Sequence, residues 1–224
     1  MTESTAVQAR SPRTLPARAL ALATLLAPVL LLAANAIEPA ALDERHGTDP
    51  AKSAQALLDI APDRARLPLF VLLLGLGLAL LVPAAIGLTR LAGGRPLAVT
   101  GAALVALGAP MGALSNAVSA LNLHRLTDPA LPRGVAVQAL AYDSMKTSII
   151  YFLLYLLMFV GILLLGIALL RSGPLPRWQT ALIGLGPLVV LLAPTGNIAG
   201  ALAPLPFTLG MAFAAREQAR PAQR

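Results

Sequence analysis

The chain of 224 residues contains no cysteine. Disulfides, thiol chemistry, cysteine-ligated metals and iron–sulfur clusters are excluded with it. Histidine occurs only at positions 46 and 124. Neither lies in an apolar run, so an intramembrane b-type haem would lack its axial ligand. Acidic residues are few, ten against seventeen Lys and Arg. No Asp, Glu, Lys, Arg or His falls within the body of any long apolar run, whereas ion- and proton-coupled transporters keep such groups there. No GxSxG nucleophile motif, P-loop or paired glutamate motif is present.

What remains is hydrocarbon. Hydrophobic residues make up 57% of the chain, charged residues 12%, and the mean hydropathy is +0.76. A water-soluble domain of this length cannot cover that much apolar surface. The apolar residues come in blocks near the roughly 20 residues that cross a bilayer as a helix. The expected fold is all-α: a polytopic transmembrane bundle of six spans. The spans fall at about 18–37, 67–88, 97–121, 147–170, 178–193 and 198–215. Residues 1–17 and 216–224 read as polar tails, and 38–66 and 122–146 as two long loops. In 50–61, Ala54, Leu57, Leu58 and Ala61 recur at helical spacing, and 133–146 also suits a helix. Each helix either lies on the membrane surface or caps the bundle.

Charge sets the orientation. The N-terminal tail with Arg18, the turns 89–96 and 171–177 and the C-terminal tail hold ten Lys and Arg against two acids, Glu3 and Glu217. The two long loops hold seven against eight. Lys and Arg concentrate on the cytoplasmic side, so the expected location is the cell membrane, with both termini in the cytoplasm and both long loops outside.

The stretch LAANAIEP (32–39) ends the first span. Ala34-Asn35-Ala36 has the small-x-small form of a signal-peptide cleavage site. The long apolar core and the spans that follow favour a retained signal-anchor. A repeat favours it too. Asn35, Asn116 and Asn197 are spaced 81 residues apart, and Arg13, Arg95 and Arg177 are spaced 82 apart. The spacing reads as three copies of a two-span hairpin, the third shortened. Each Asn would end a span at its outer rim, either as a helix terminator or as one of a ring of amides that converges on a polar group. Ser115 and Ser119 flank Asn116 and would join that polar rim.

Gly108 and Gly112 have the small-xxx-small spacing that lets two membrane helices approach closely. Gly75, Gly77, Gly161 and Gly166 add further packing points. His46 with Asp43, and His124 with Asp128, combine imidazole with carboxylate in the two outer loops. Together they are candidate ligands for a divalent metal, or else ordinary solvated loop residues. No other cofactor is implied. The partners expected are the lipid bilayer and other membrane proteins, and no nucleic acid.

The layout resembles that of uncharacterised small six-span integral membrane proteins of actinobacteria. The similar features are an Arg-flanked Ala/Leu span ending before proline (LLAPVLLLAANAIEP), an acidic outer loop, a Leu-rich second span and a Gly-Arg turn (LAGGRP). The resemblance implies no activity and no site residues. The function expected is a non-enzymatic accessory, scaffold or small-solute-binding component of the membrane. The alternatives are a transport permease working with a separate ATPase, and a membrane enzyme with an outward-facing metal site.

Overall fold

A computed structural model describes residues 16–38, 50–192 and 201–220. Every regular element among them is helical: α1 (Ala17–Ile37), α2 (Pro50–Ile60), a 3₁₀ turn (Ala61–Arg66), α3 (Leu67–Leu91), α4 (Pro96–Leu126), α5 (Arg133–Ser172), α6 (Arg177–Leu192) and α7 (Leu205–Ala219). Among the described residues, three stretches are long and apolar enough to cross a membrane: Ala17–Ile37, Ala51–Leu91 and Pro96–Leu126.

The six long helices form a closed ring. Each packs against its neighbours along the chain, α1 on α3, α3 on α4, α4 on α5, α5 on α6 and α6 on α7, and α7 returns to α1. Short turns join the helices at one end, the basic end. Gly93 and Gly94 both take positive φ, 72° and 67°, and the Gly94 N–H donates to the Thr89 carbonyl at 2.9 Å. Gly173, at φ 72°, ends α5 with its N–H on the Leu169 carbonyl. This left-handed region is open to glycine at little cost. Arg95 then ties the start of α4 to the end of α5, its Nη1 donating to the Arg171 carbonyl at 3.0 Å.

At the opposite end the helices outrun the expected spans. With 31 and 40 residues, α4 and α5 extend ~46 Å and ~60 Å, against ~30 Å of bilayer hydrocarbon. Residues 121 and 147 are therefore not helix ends, and only 127–132 link α4 to α5. Likewise 50–66 run into α3 as a nearly continuous rod. Pro62 and Pro68 each lack an N–H donor, and between them the chain tightens into the 3₁₀ turn. The two projecting parts meet as a cap with its own apolar core. Ala56, Leu57 and Ile60 of α2 are buried with Leu67, Ala120, Leu123, Ala136 and Leu140. The face that α2 buries is Ser53, Ala56, Leu57 and Ile60. Leu58 and Ala61 of the expected stripe are exposed, and Ala54 is only half-buried.

The ring buries small residues alongside large ones and carries further large aliphatic side chains on its outside. Ala27, Ala84, Ala98, Ala109 and Ala214 are fully buried beside Leu78, Leu165, Leu169 and Ile183, while Leu72 of α3, Leu107 of α4 and Leu209 of α7 are more than half exposed. Small residues between helices and aliphatic ones around them suit a hydrocarbon surround. A close backbone approach joins α4 to α5. A Cβ on Gly101 would lie 2.7 Å from the Gly161 carbonyl oxygen, and one on Gly161 would lie 2.6 Å from the Gly101 oxygen. Gly166 faces the Gly184 Cα in the same way between α5 and α6. Of the pair expected to play this part, Gly108 and Gly112 are both buried. A methyl on Gly112 would meet only Leu78, at an ordinary 3.9 Å.

This contrast is directly testable. Gly101→Ala forces two backbones apart and should lower stability by about 1–3 kcal/mol. Gly75→Ala, with nothing within 4 Å, should raise it by up to about 1 kcal/mol. Denaturant titration in mixed micelles reads both. A Gly101→Ala protein as stable as wild type would refute the close-contact reading.

Candidate functional site

A cavity of about 140 Å³ lies inside the ring. Five of the six ring helices line it. Leu74, Leu78 and Leu81 of α3 share a face at i, i+4 and i+7, opposite Met158, Phe159 and Ile162 of α5. Pro187 and Val190 of α6, Phe207 of α7 and Pro204 just before α7 form another wall. α1 supplies Leu31 and Asn35, and the Asn35 amide is the one polar side chain among these lining residues. Counted from the basic end, they stand roughly 15–27 Å along their helices at 1.5 Å per residue.

Two glycines shape the walls from behind. Leu31 tucks into α3 because position 77 has no side chain: a Cβ there would sit 2.9 Å from the Leu31 Cγ and Cδ2. Phe207 holds its place because the backbones of α6 and α7 nearly touch, with a Cβ on Gly186 falling 2.8 Å from the Phe207 Cα. Pro187, within α6, leaves the Ile183 carbonyl without its usual helical donor.

The residues expected to form a polar rim take separate places. Asn35 lines the cavity. Asn116 turns its amide back on its own helix, with Nδ2 donating to the Gly112 carbonyl at 2.8 Å, and α4 contributes no lining residue. Ser115 is buried and Ser119 half-buried on α4. Asn197 lies outside the described residues.

The expected metal ligands divide in the same way. His46 and Asp43 lie outside the described residues. Asp128 sits in the turn after α4 and is engaged from two directions. The Ala130 N–H donates to Oδ1 at 2.9 Å, and Arg64 Nη2 donates to Oδ2 at 3.0 Å. The Ala130 N–H, ahead of the Arg64 guanidinium and nearby His124, holds the Asp128 carboxyl below its ordinary 3.8 against the opposing effect of desolvation. His124 keeps Nδ1 buried without a hydrogen-bond partner among the described residues. No group of three His, Cys, Asp or Glu among the described residues is placed to hold a metal ion. The arrangement there is an ion pair that pins the 3₁₀ turn to the α4–α5 link.

One polar pair escaped the sequence reading. Gln218, taken as part of a polar tail, lies on α7, which continues to Ala219. Its side chain is wedged over Gly87, where a Cβ would meet it at 2.9 Å. There it reaches fully buried Thr24 of α1 at 3.1 Å, while Thr24 Oγ1 lies 2.8 Å from the Leu20 carbonyl. Thr24 Oγ1 donates to the Leu20 carbonyl and lies beside Gln218 Oε1, while Gln218 Nε2 is buried without a hydrogen-bond partner among the described residues. The signal was available: Gln218 follows Met211 and Ala214 at i+7 and i+4 on one helix face.

The Arg64–Asp128 pair has a pH signature. Because the folded pKa of Asp128 is lowered, its contribution is fully present above 3.8 and is lost as pH falls through the lowered value. Asp128→Asn should therefore speed amide exchange in α2 and the 3₁₀ turn at neutral pH, and the difference from wild type should vanish in acid. Equal exchange rates at neutral pH would show that the pair does not hold the cap.

Compared with known families, curated proteins and solved structures, the chain matches none of them.

Proposed function

We propose that this chain is a non-enzymatic, multi-pass protein of the cell membrane whose helix ring holds a small solute. In this reading the six ring helices are six spans, both termini are cytoplasmic, and the α2 cap faces outward. The observation that carries the reading is the cavity: apolar, walled by five helices, and set midway along a bundle whose outer surface is aliphatic. The asymmetry of charge supports the orientation, because the short turns that carry Arg90, Arg95, Arg171 and Arg177 all lie at one end.

A three-hairpin repeat fits the same picture. The ring follows chain order, and each returning helix carries a glycine at its contact with the outgoing one. Gly77 packs on α1, Gly161 on α4 and Gly210 on α6. Pro187 and Pro204 in the cavity wall favour a permease as the second reading, since interrupted helices mark transporter binding sites. The layout shared with small six-span actinobacterial proteins agrees with either.

The absence of native cysteine makes the topology simple to map, because any thiol introduced is the only one. Cysteines placed singly at Thr48 and Pro129 should react with a membrane-impermeant maleimide on intact cells. Those at Ser11, Pro176 and Ala222 should react only after permeabilisation. Labelling at Pro176 on intact cells would overturn the orientation. Mass spectrometry of protein extracted without denaturation should release a small molecule from wild type that is missing from Leu78→Phe. The same profile from both would leave a scaffold without a solute.

A further inference from the structure

We infer that the cavity takes a compact apolar molecule of one ring's size with a single hydrogen-bonding group, phenol-like in chemistry, oriented by Asn35. The inference rests on the solute-holding reading above and names its ligand class.

Volume sets the size. About 140 Å³, in a pocket that is partly open and not sealed, is close to the roughly 150 Å³ that accepts benzene in an apolar cavity. Water is a poor occupant, because an ordered water needs two to four polar partners and the described lining offers one polar side chain. The lining sets the chemistry. Leucines of α3, Met158 and Ile162 of α5 and Phe207 of α7 present aliphatic, thioether and aromatic surface. Such walls suit a flat ring, and a Met sulfur favours contact with a ring edge. Asn35 sets the polarity. Its amide carries two N–H donors and a carbonyl, so it can serve a ligand hydroxyl in addition to the contact it already makes within the protein. Position along the helices sets the route. Lining residues roughly 15–27 Å from the basic end fall within the hydrocarbon depth of a bilayer ~30 Å thick, where small aromatic solutes dissolve.

The test uses the full chain in lipid nanodiscs, with fluorobenzene and 4-fluorophenol as probes followed by fluorine NMR. Wild type should bind both above the level of empty nanodiscs. It should favour the phenol over fluorobenzene, relative to Asn35→Leu, by about five-fold, the worth of one net hydrogen bond. Leu78→Phe should lose both probes. Val190→Phe, at a half-buried wall position, repeats the filling test should Leu78→Phe fail to fold. Binding no greater than in empty nanodiscs, or unchanged in a folded filled variant, overturns the site. Binding that appears in lipid-free amphipol and disappears in nanodiscs identifies a lipid chain as the occupant and also overturns it. A phenol preference unchanged by Asn35→Leu overturns the role of the amide. Probe failure with the thiol map intact removes this inference alone. A failed thiol map with probe binding intact removes the orientation and leaves the ligand class standing.

Discussion

The approach of two backbones at Gly101 and Gly161 is the constraint on which the ring depends. In hydrocarbon, helices gain little by hiding apolar side chains from one another, because lipid is as apolar as leucine. Association then rests on close packing and on the few polar contacts available. Gly101 and Gly161 each leave space that the other's carbonyl occupies. The same rule recurs at Gly166 with Gly184, at Gly186 with Phe207 and at Gly210 with Ile183. It also accounts for the small residues at buried positions of α1 and α4, among them Ala21, Ala23, Ala27, Ala34, Ala98, Gly101, Gly108, Ala109 and Gly112.

Close packing at the contacts leaves space at the centre. Six helices in a ring, each drawn tightly against its neighbours, do not all reach the axis with alanine and glycine. The larger side chains at mid-height, among them Leu78, Met158 and Phe207, point inward and only partly fill the gap. The cavity is thus a consequence of the same small-residue contacts that close the ring. Its shape is set one layer behind its walls, since Gly77 lets Leu31 recede and Gly186 lets Phe207 advance.

The helical architecture was legible in the sequence because apolar block length reports it directly. Helix ends were less so. Hydropathy falls where a helix leaves hydrocarbon, while the backbone continues as long as something packs against it. The extensions of α4 and α5 continue because Ala120, Leu123, Ala136 and Leu140 find α2. The stripe on α2 was misplaced because an Ala-rich segment offers several faces of similar apolarity. Contact glycines were obscured for a related reason. The Gly108-x-x-x-Gly112 spacing marks the same helix face as Gly101, seven and eleven residues earlier, but spacing does not say at what height that face meets a neighbour, and a Cβ on Gly112 would meet only Leu78 where one on Gly101 would meet the Gly161 backbone. Of the polar rim, Asn35 reached the cavity by its place on α1, while the Asn116 amide was captured by its own helix.

The two ends of the ring are held by different forces. At the cap end, α2 is secured by burial of Leu57 and Ile60, where each large side chain withdrawn from water contributes about 1.5–3 kcal/mol. The Arg64–Asp128 pair fixes its angle. At the basic end the fasteners are hydrogen bonds: Thr24 with Gln218, Arg95 with the Arg171 carbonyl, and Thr89 with the Ala98 carbonyl at 3.2 Å. Between them, near the level of the cavity, Thr208 of α7 reaches the Pro28 carbonyl of α1 at 3.4 Å, and Pro187 interrupts the hydrogen bonding of α6. At that level the near contact of the Gly186 and Phe207 backbones holds the α6–α7 wall together.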